Sequence, residues 1–390
     1  MRMTISLLAA ILLAATARAE IVIGQTTVLT GPAAANVAEV NLGANLVFDS
    51  VNAAGGVKGQ RIRMISLDDA AVGDAAVVNA EKLISEHKAV ALFLSRSTPT
   101  ALAMREVLAK HGVPLIAPST GTIAIRQPVN PYIYNMRSSY QAEVRKAIET
   151  MMTMGLAHEI GIIAVDDSFG DDALQGAYAG FQAAGPQPMR GQGGDGEVKK
   201  MAPAKPLFVE RFNYTTSDVS KGVAQATATG ARGILIIGST KPTVTAIKEI
   251  KKANKAAPFI FTISNNASES FIKALGDDGA GVVVTQVFPR ESATDIPLVR
   301  EATAMLNKAK PGARLTAAVL EGVAAAKLLI GALNNVNGPV TSNSLMASLD
   351  SGTYFDIGWP NMSIRYTRTN HNGVSFADTS IVTESGKFRR

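Results

Sequence analysis

The sequence predicts a two-lobed α/β protein whose lobes are parallel-dominated sheets flanked by helices. Short β-branched runs alternate with helical patterns along most of the 390 residues, the order that produces right-handed βαβ units. Several of these runs are apolar without alternation, as expected of strands covered on both faces. A chain of this length also exceeds one ordinary domain, so its strands divide better into two sheets of about five than into one wide sheet.

Strands are expected over 21–27, 62–67, 90–94, 115–117 and 133–135, then over 160–165, 207–212, 234–237, 259–262 and 282–287. Between them, residues 39–52 place Val40, Ala44, Val47 and Val51 on one helical stripe. Residues 99–111 repeat the pattern with Ala101, Met104 and Leu108 and stop at Gly112, a natural C′ residue. Further helices fit 75–86, 141–154, 172–183, 219–229, 242–253, 298–309 and 316–334. Crossings between lobes are expected near Arg137-Ser138-Ser139-Tyr140 and near Ser264-Asn265-Asn266. Residues 20–138 with 267–350 then form one lobe, and 139–266 with 351–390 the other. Asn372-Gly373, between runs at 363–366 and 376–382, reads as a hairpin turn. Residues 186–206, rich in Gly, Pro and Lys, read as a flexible, exposed insertion.

Arg2, the apolar run from Ile5 to Ala15 and the small-x-small triplet Ala17-Arg18-Ala19 have the layout of an export signal cleaved before Glu20. That run is too short to cross the roughly 30 Å core of a bilayer, and the best later one, 319–333, contains Glu321 and Lys327. Removing Arg2 and Arg18 takes the 38 basic residues to 36 against 32 acidic ones. The basic residues form no stripe with stacking aromatics, which argues against a nucleic-acid partner. Cysteine is absent. That excludes disulfides, thiolate metal sites, a cysteine nucleophile and a lipid anchor on cysteine.

Catalytic motifs are missing. No G-x-S-x-G, H-E-x-x-H or Walker lysine motif occurs. Residues 191–196 match G-x-G-x-x-G, yet Pro186 and Pro188 precede them and Pro203 and Pro206 follow. The strand and helix that make the motif bind a pyrophosphate are not expected there. His87, His111, His158 and His371 are scattered and read as surface residues. The acidic run 166–172 lacks calcium-loop spacing, so Asp171 or Asp172 reads as a helix cap. No metal or cofactor is expected.

The informative residues follow the strands, where open α/β sheets bind ligands. Ser95-Arg96-Ser97-Thr98-Pro99 follows 90–94, with Ser97 or Thr98 as N-cap, and Pro118-Ser119-Thr120-Gly121-Thr122 follows 115–117. The second lobe contributes Asp167-Ser168-Phe169-Gly170, Gly238-Ser239-Thr240-Lys241 and Ser264-Asn265-Asn266. These loops hold hydroxyls, amides, an aromatic ring and a lysine, but no nucleophile–base–orienter set. That is an inventory for binding.

The stretches IVIGQTTVLTGPAA at 21–34, GANLVFDSVNAAGGVKGQRIRMISLDDA at 43–70 and SRSTPTALAMREVLAKHGVPLIAPSTGT at 95–122 carry a family resemblance. So do IGIIAVDDSFGDDALQG at 160–176, GARGILIIGSTKPT at 230–243, GAGVVVTQVFP at 279–289 and NHNGVSF at 370–376. Together they resemble the periplasmic substrate-binding proteins of the branched-chain amino acid (Leu/Ile/Val) family, which serve ABC importers. The likeness spans essentially the whole chain after residue 20, apart from 186–206. It implies a type I periplasmic-binding-protein fold, two lobes joined by three hinge crossings that close on a small ligand, and no enzymatic activity. It further implies a monomer in the periplasm and an ABC permease in the inner membrane as partner. A ligand sensor of the same fold and an exported hydrolase are the alternatives.

Residue by residue, the resemblance gives the ligand carboxylate to Ser97 and Thr98, with Ser119, Thr120 and Gly121 in the next loop. Phe169 and Thr240 stand where amino-acid binders carry tyrosines. Ser264 and Asn265 occupy the region where those binders place a glutamate against the ligand amine, and no acid occurs here before Glu269. The ligand is therefore expected to be a carboxylate or neutral polar compound without an α-amino group, unless Asp166, Asp167 or another acid substitutes. Arg96 stands where many relatives carry a small residue, and is a candidate second anion contact, with a solvent-facing role as the alternative.

Overall fold

A computed structural model describes residues 20–190, 198–253 and 258–389. The expected export signal at 1–19 and the glycine motif at 191–196 lie outside the described residues. The first lobe begins with β1 (Ile21–Thr27), α1 (Ala34–Ala53), β2 (Ile62–Asp68), α2 (Gly73–Ser85), β3 (Ala91–Phe93), α3 (Thr98–Ala103), α4 (Arg105–His111), β4 (Leu115–Ile116) and β5 (Ile133–Tyr134). Its strands pair in the order β2-β1-β3-β4-β5, all parallel. The unbroken apolar runs have the expected cause: Ala91, Leu92, Phe93, Leu115 and Ile116 are all buried. The helix expected over 99–111 is interrupted at Met104, and Gly112 ends it with φ +62°.

The second lobe continues with α5 (Tyr140–Thr153), β6 (Ile160–Val165), α6 (Ser168–Ala184), β7 (Pro186–Arg190), β8 (Val198–Pro203), β9 (Phe208–Phe212), α7 (Ser220–Thr229), β10 (Gly233–Ile237), α8 (Thr240–Ala253), β11 (Phe259–Thr262), α9 (Glu269–Leu275) and β12 (Val283–Gln286). Part of the expected flexible insertion is an antiparallel hairpin of β7 and β8, with Pro186 opposite Pro203. A two-stranded ribbon leaves one edge of each strand unpaired, which tolerates proline's missing donor.

Then follow α10 (Pro297–Ala309), α11 (Ala317–Asn334), α12 (Ser342–Leu349), β13 (Ser351–Phe355), β14 (Ile364–Thr367), β15 (Asp378–Val382) and β16 (Phe388–Arg389). The second sheet runs β16-β15-β12-β11-β10-β6-β9. Two expected boundaries move. Phe271, Leu275 and Val284 pack into the second core, whereas Val287 and Phe288 pack into the first. The chain thus returns after β12 rather than at 266. Phe355, Trp359 and Tyr366 then stay in the first core, and β15 pairs with β12 in the second sheet. The last crossing lies just before residue 378, not at 350.

The Asn372-Gly373 hairpin does not form. β14 pairs with β13 instead, and the segment after it runs beside the first crossing: Asn135 N–H donates to His371 O, and Val374 N–H donates to Met136 O. A side chain on Gly373 would stand 2.2 Å from Met136 O, so glycine serves a close backbone approach rather than a turn. His371, expected at the surface, is buried here. Its Nε2 lies 2.9 Å from Asp350 Oδ1 and its ring stacks on Tyr134 at 4.0 Å.

The first core is centred on α11, whose apolar length is mostly covered by protein. It packs on α1 through paired glycines. A Cβ on Gly43 would lie 2.1 Å from Val319 O, and one on Gly322 would lie 1.9 Å from Val40 O. Gly322→Ala is expected to destabilise the chain by about 3 kcal/mol, the scale of an overpacked core. It should be read as a lower urea midpoint at unchanged slope; a change within about 0.5 kcal/mol would mean that the two helices can part freely.

Candidate functional site: the cleft between the lobes

A cavity of about 210 Å³ opens between the C-terminal ends of the two sheets. The first lobe lines it with Val28 after β1, Ala70 to Val72 after β2, and Arg96 to Pro99 after β3. The second lobe supplies Val165, Asp167 and Phe169 around the end of β6, Tyr214 and Thr215 after β9, Ser239 after β10 and Asn265 after β11. Tyr140, the first residue of α5, completes the wall. In both sheets the strand order reverses around the first strand, β1 or β6, and such switch points are where crevices open.

The first-lobe wall and the strand ends beneath it are held in unusual backbone conformations. Ala70 (φ +48°), Ala71 (+65°), Leu94 (+50°), Ser97 (+91°) and Ala117 (+50°) all lie in the left-handed region without being glycine. Each costs about 1–3 kcal/mol, and such residues cluster at ligand clamps. Ser97 precedes α3 but makes no side-chain capping bond, so capping does not account for its place on the wall.

Arg96 is 5% exposed, and its Nη1 donates to Ser119 Oγ at 3.0 Å. Thr98 pairs with Thr120 through their hydroxyls at 2.8 Å. Arg96, Ser97, Thr98, Phe169 and Asn265 therefore line the cavity, while Ser119, Thr120, Gly121, Thr240 and Ser264 do not. The reasons are local. Ser119 donates to Glu321 Oε1 at 2.8 Å, which turns it away from the cleft. Gly121 serves the first crossing, since a Cβ there would stand 2.6 Å from Tyr140 N. Thr240 donates to Asn266 Oδ1, leaving Ser239 to face the cavity from that loop.

Ser264 belongs to a buried cluster behind the cleft. Arg137, 1% exposed, donates to Ser264 Oγ at 2.6 Å, to Glu143 Oε1 at 2.7 Å and to Asn265 Oδ1 at 3.3 Å. Its guanidinium lies over the Tyr140 ring, and Nη1 is 3.7 Å from Glu321 Oε1. Burial alone would lower the Arg137 pKa, but Glu321 and Glu143 more than offset it and raise it above the usual arginine range.

Sequence reasoning left Tyr140 and Tyr214 out of the site, placed Ser239 in a binding loop but chose Thr240 from it, and held Asp167 only in reserve. Tyr214 and Thr215 follow β9, and the rule that selected the other loops also applies to theirs. Tyr214 Oη and Ser239 Oγ are buried at the cavity with no hydrogen-bond partner; burial pushes the Tyr214 phenol up to about 12. Asp167, rather than Asp171 or Asp172, caps α6: its Oδ1 accepts from Phe169 N and Gly170 N. Burial raises its pKa against those bonds. The cation beside the acidic run is Arg211, 3.2 Å from Asp166 and 2.9 Å from Asp171.

Asp69, beneath the Ala70–Ala71 wall, accepts from Thr26 Oγ1 at 2.8 Å and Ala71 N at 2.9 Å, yet burial pushes its carboxyl up to about 6. A carboxyl raised above its unfolded value stabilises the fold fully below the unfolded pKa, near 3.8, and loses that contribution as pH climbs through about 6. The stability of wild type relative to Asp69→Asn should therefore fall by about 2 kcal/mol between pH 4 and 7. Parallel profiles for the two proteins would show that Asp69 ionises normally.

Comparison with known proteins agrees with this architecture. The chain matches the periplasmic binding protein family over residues 20–380. It is 32% identical over 150 residues to "Leu/Ile/Val-binding protein homolog 3" of Brucella melitensis, covering 36% of this chain and 40% of that one. It is 31% identical over 118 residues to "Leu/Ile/Val-binding protein BraC3" of Rhizobium johnstonii, covering 30% and 32%. The matched regions thus span less than half the length of these relatives. Among solved structures, a substrate-binding periplasmic protein from Ralstonia solanacearum superposes with a TM-score of 0.82 at 22% identity, covering 95% of this chain and 99% of that one. A branched chain amino acid ABC transporter protein from Thermus thermophilus with bound valine gives 0.79 at 15% identity, covering 95% of each. At these identities the two structures speak for the fold, which is the type I periplasmic binding fold, and the match along nearly the whole described length places this chain in the periplasmic binding protein family.

Proposed function

We propose that this chain is a periplasmic solute-binding protein that captures a small monocarboxylate between its lobes and delivers it to an ABC importer. Arg96 carries the reading: a guanidinium 5% exposed, on the cavity wall, with no direct ion-pair partner among the described residues. A buried charge without a counter-charge is costly, and a ligand carboxylate would supply one. Thr98 adds a hydroxyl beside it, while Val28, Val165, Phe169 and Tyr214 offer an apolar seat for the rest of the molecule. Family membership supports capture rather than turnover, and the family name supports a periplasmic location.

The second lobe argues for a ligand without an amine. Ser264-Asn265-Asn266 contains no acid, and the one carboxylate on the cavity wall among the described residues, Asp167, already commits an oxygen to capping α6. Each lobe provides part of the contacts, so a ligand touching both favours the closed arrangement. The relatives' names point instead to leucine, isoleucine or valine, which makes leucine and its des-amino analogue the decisive pair.

In a thermal-shift assay, 4-methylpentanoate at about 100 times its Kd should add roughly 2.7 kcal/mol and raise the midpoint by a few degrees. Arg96→Gln should abolish the shift. Thr98→Ala should weaken binding about tenfold, the scale of one lost hydrogen bond. Leucine binding more tightly than 4-methylpentanoate, and losing that advantage in Asp167→Asn, would overturn the amine-free reading and give the ammonium to Asp167. Absence of any shift across carboxylates, amino acids and amides would overturn capture itself.

A further inference from the structure

Ser119 has no proton left to offer a ligand carboxylate: its hydroxyl accepts from Arg96 Nη1 at 3.0 Å and donates its one proton to Glu321 Oε1 at 2.8 Å. Backbone register brings the pair together. Arg96 and Ser119 form a parallel bridge, continuing the β3–β4 pairing into the loops, and Ser119 N–H donates to Ser95 O. The Glu321 oxygen that takes the Ser119 proton is the one 3.7 Å from Arg137 Nη1. Arg137 in turn reaches Asn265, which lines the same cavity from the other lobe. An unbroken polar chain thus runs from the wall of the cleft, behind it, and back to the opposite wall.

We infer that Ser119 and Glu321 are positioning residues for Arg96, fixing its guanidinium towards the cavity and linking its charge to the hinge cluster at Arg137. The inference rests on Arg96 as the anion anchor. Its electrostatic logic is one of shared charge. Glu143 sits 2.7 Å from Arg137 and is its close partner, which leaves Glu321 to serve Arg137 at longer range and Arg96 through the Ser119 hydroxyl. Because Glu321 fixes the Ser119 proton, a serine lone pair is aimed at Arg96. Without Glu321 that proton is free to rotate, and the guanidinium loses its reason to hold one orientation.

The test reads Arg96 directly. In protein labelled with ¹⁵N-arginine, the Arg96 side-chain signals are assigned by their loss in Arg96→Lys, and their exchange with water is measured without ligand. Ser119→Ala and Glu321→Leu should each speed that exchange about tenfold, the ratio expected of one lost hydrogen bond, whereas Ser119→Thr, which keeps a hydroxyl, should restore slow exchange. For 4-methylpentanoate, each of the two substitutions should weaken binding about tenfold and the double variant no more than either, since residues acting through one chain do not add. Unchanged Arg96 exchange in both variants, or full additivity, would overturn the inference. Should Glu321→Leu fail to fold, Ser119→Ala against Ser119→Thr still decides it. If no carboxylate binds wild type, the proposed ligand class falls, yet the exchange measurement still decides how Arg96 is held.

Discussion

A guanidinium with almost no access to water sits at the first crossing between the lobes, and residues of both lobes are arranged around it. Arg137 lies on the first crossing. Its partners come from α5, from α11 and from the loop after β11. Stripping an arginine of water is costly, and the cost is offset only while these acids and amides hold their places. Removing one partner from such a buried pair typically costs about 3–5 kcal/mol. A motion of the lobes that separated these groups would be opposed by a cost of that order.

Hydroxyls near the cleft are likewise drawn inward by buried partners. Ser119, Thr120, Ser264 and Thr240 each satisfy another buried group, so the support of the cavity consumes much of the polarity expected on its surface. What remains for a ligand is one arginine, a few hydroxyls, an amide and a half-committed aspartate, set among apolar side chains. The strained loops after β2, β3 and β4 belong to the same design: the close-packed core beneath them leaves the backbone little freedom to relax.

Much of the architecture could be read from residue order because a βαβ unit is a local object. A run such as Ile160–Val165 followed by an amphipathic helix carries its own evidence. Lobe boundaries carried none. The segment from Phe271 to Val284 and the one from Val287 onwards both carry apolar residues, and only packing tells which core each one joins. Asn372-Gly373 shows the same limit. The pair has hairpin chemistry, but its glycine answers to the carbonyl of Met136, more than two hundred residues earlier.

The sequence by itself determined the alternation of strands and helices, the two-sided burial of the strands and the loops from which a cleft would be built. Those features follow from side-chain period and backbone preference over a few residues. Tertiary structure alone decided which members of those loops face the cavity. Thr240 turned to Asn266 while Ser239 did not, Ser119 turned to Glu321 while Arg96 did not, and Tyr214 reached the cleft from the loop after β9. The direction of a hydroxyl or a guanidinium is set by where its partner lies, and here the partners stand on other strands, other helices and, through Arg137, at the junction with the other lobe.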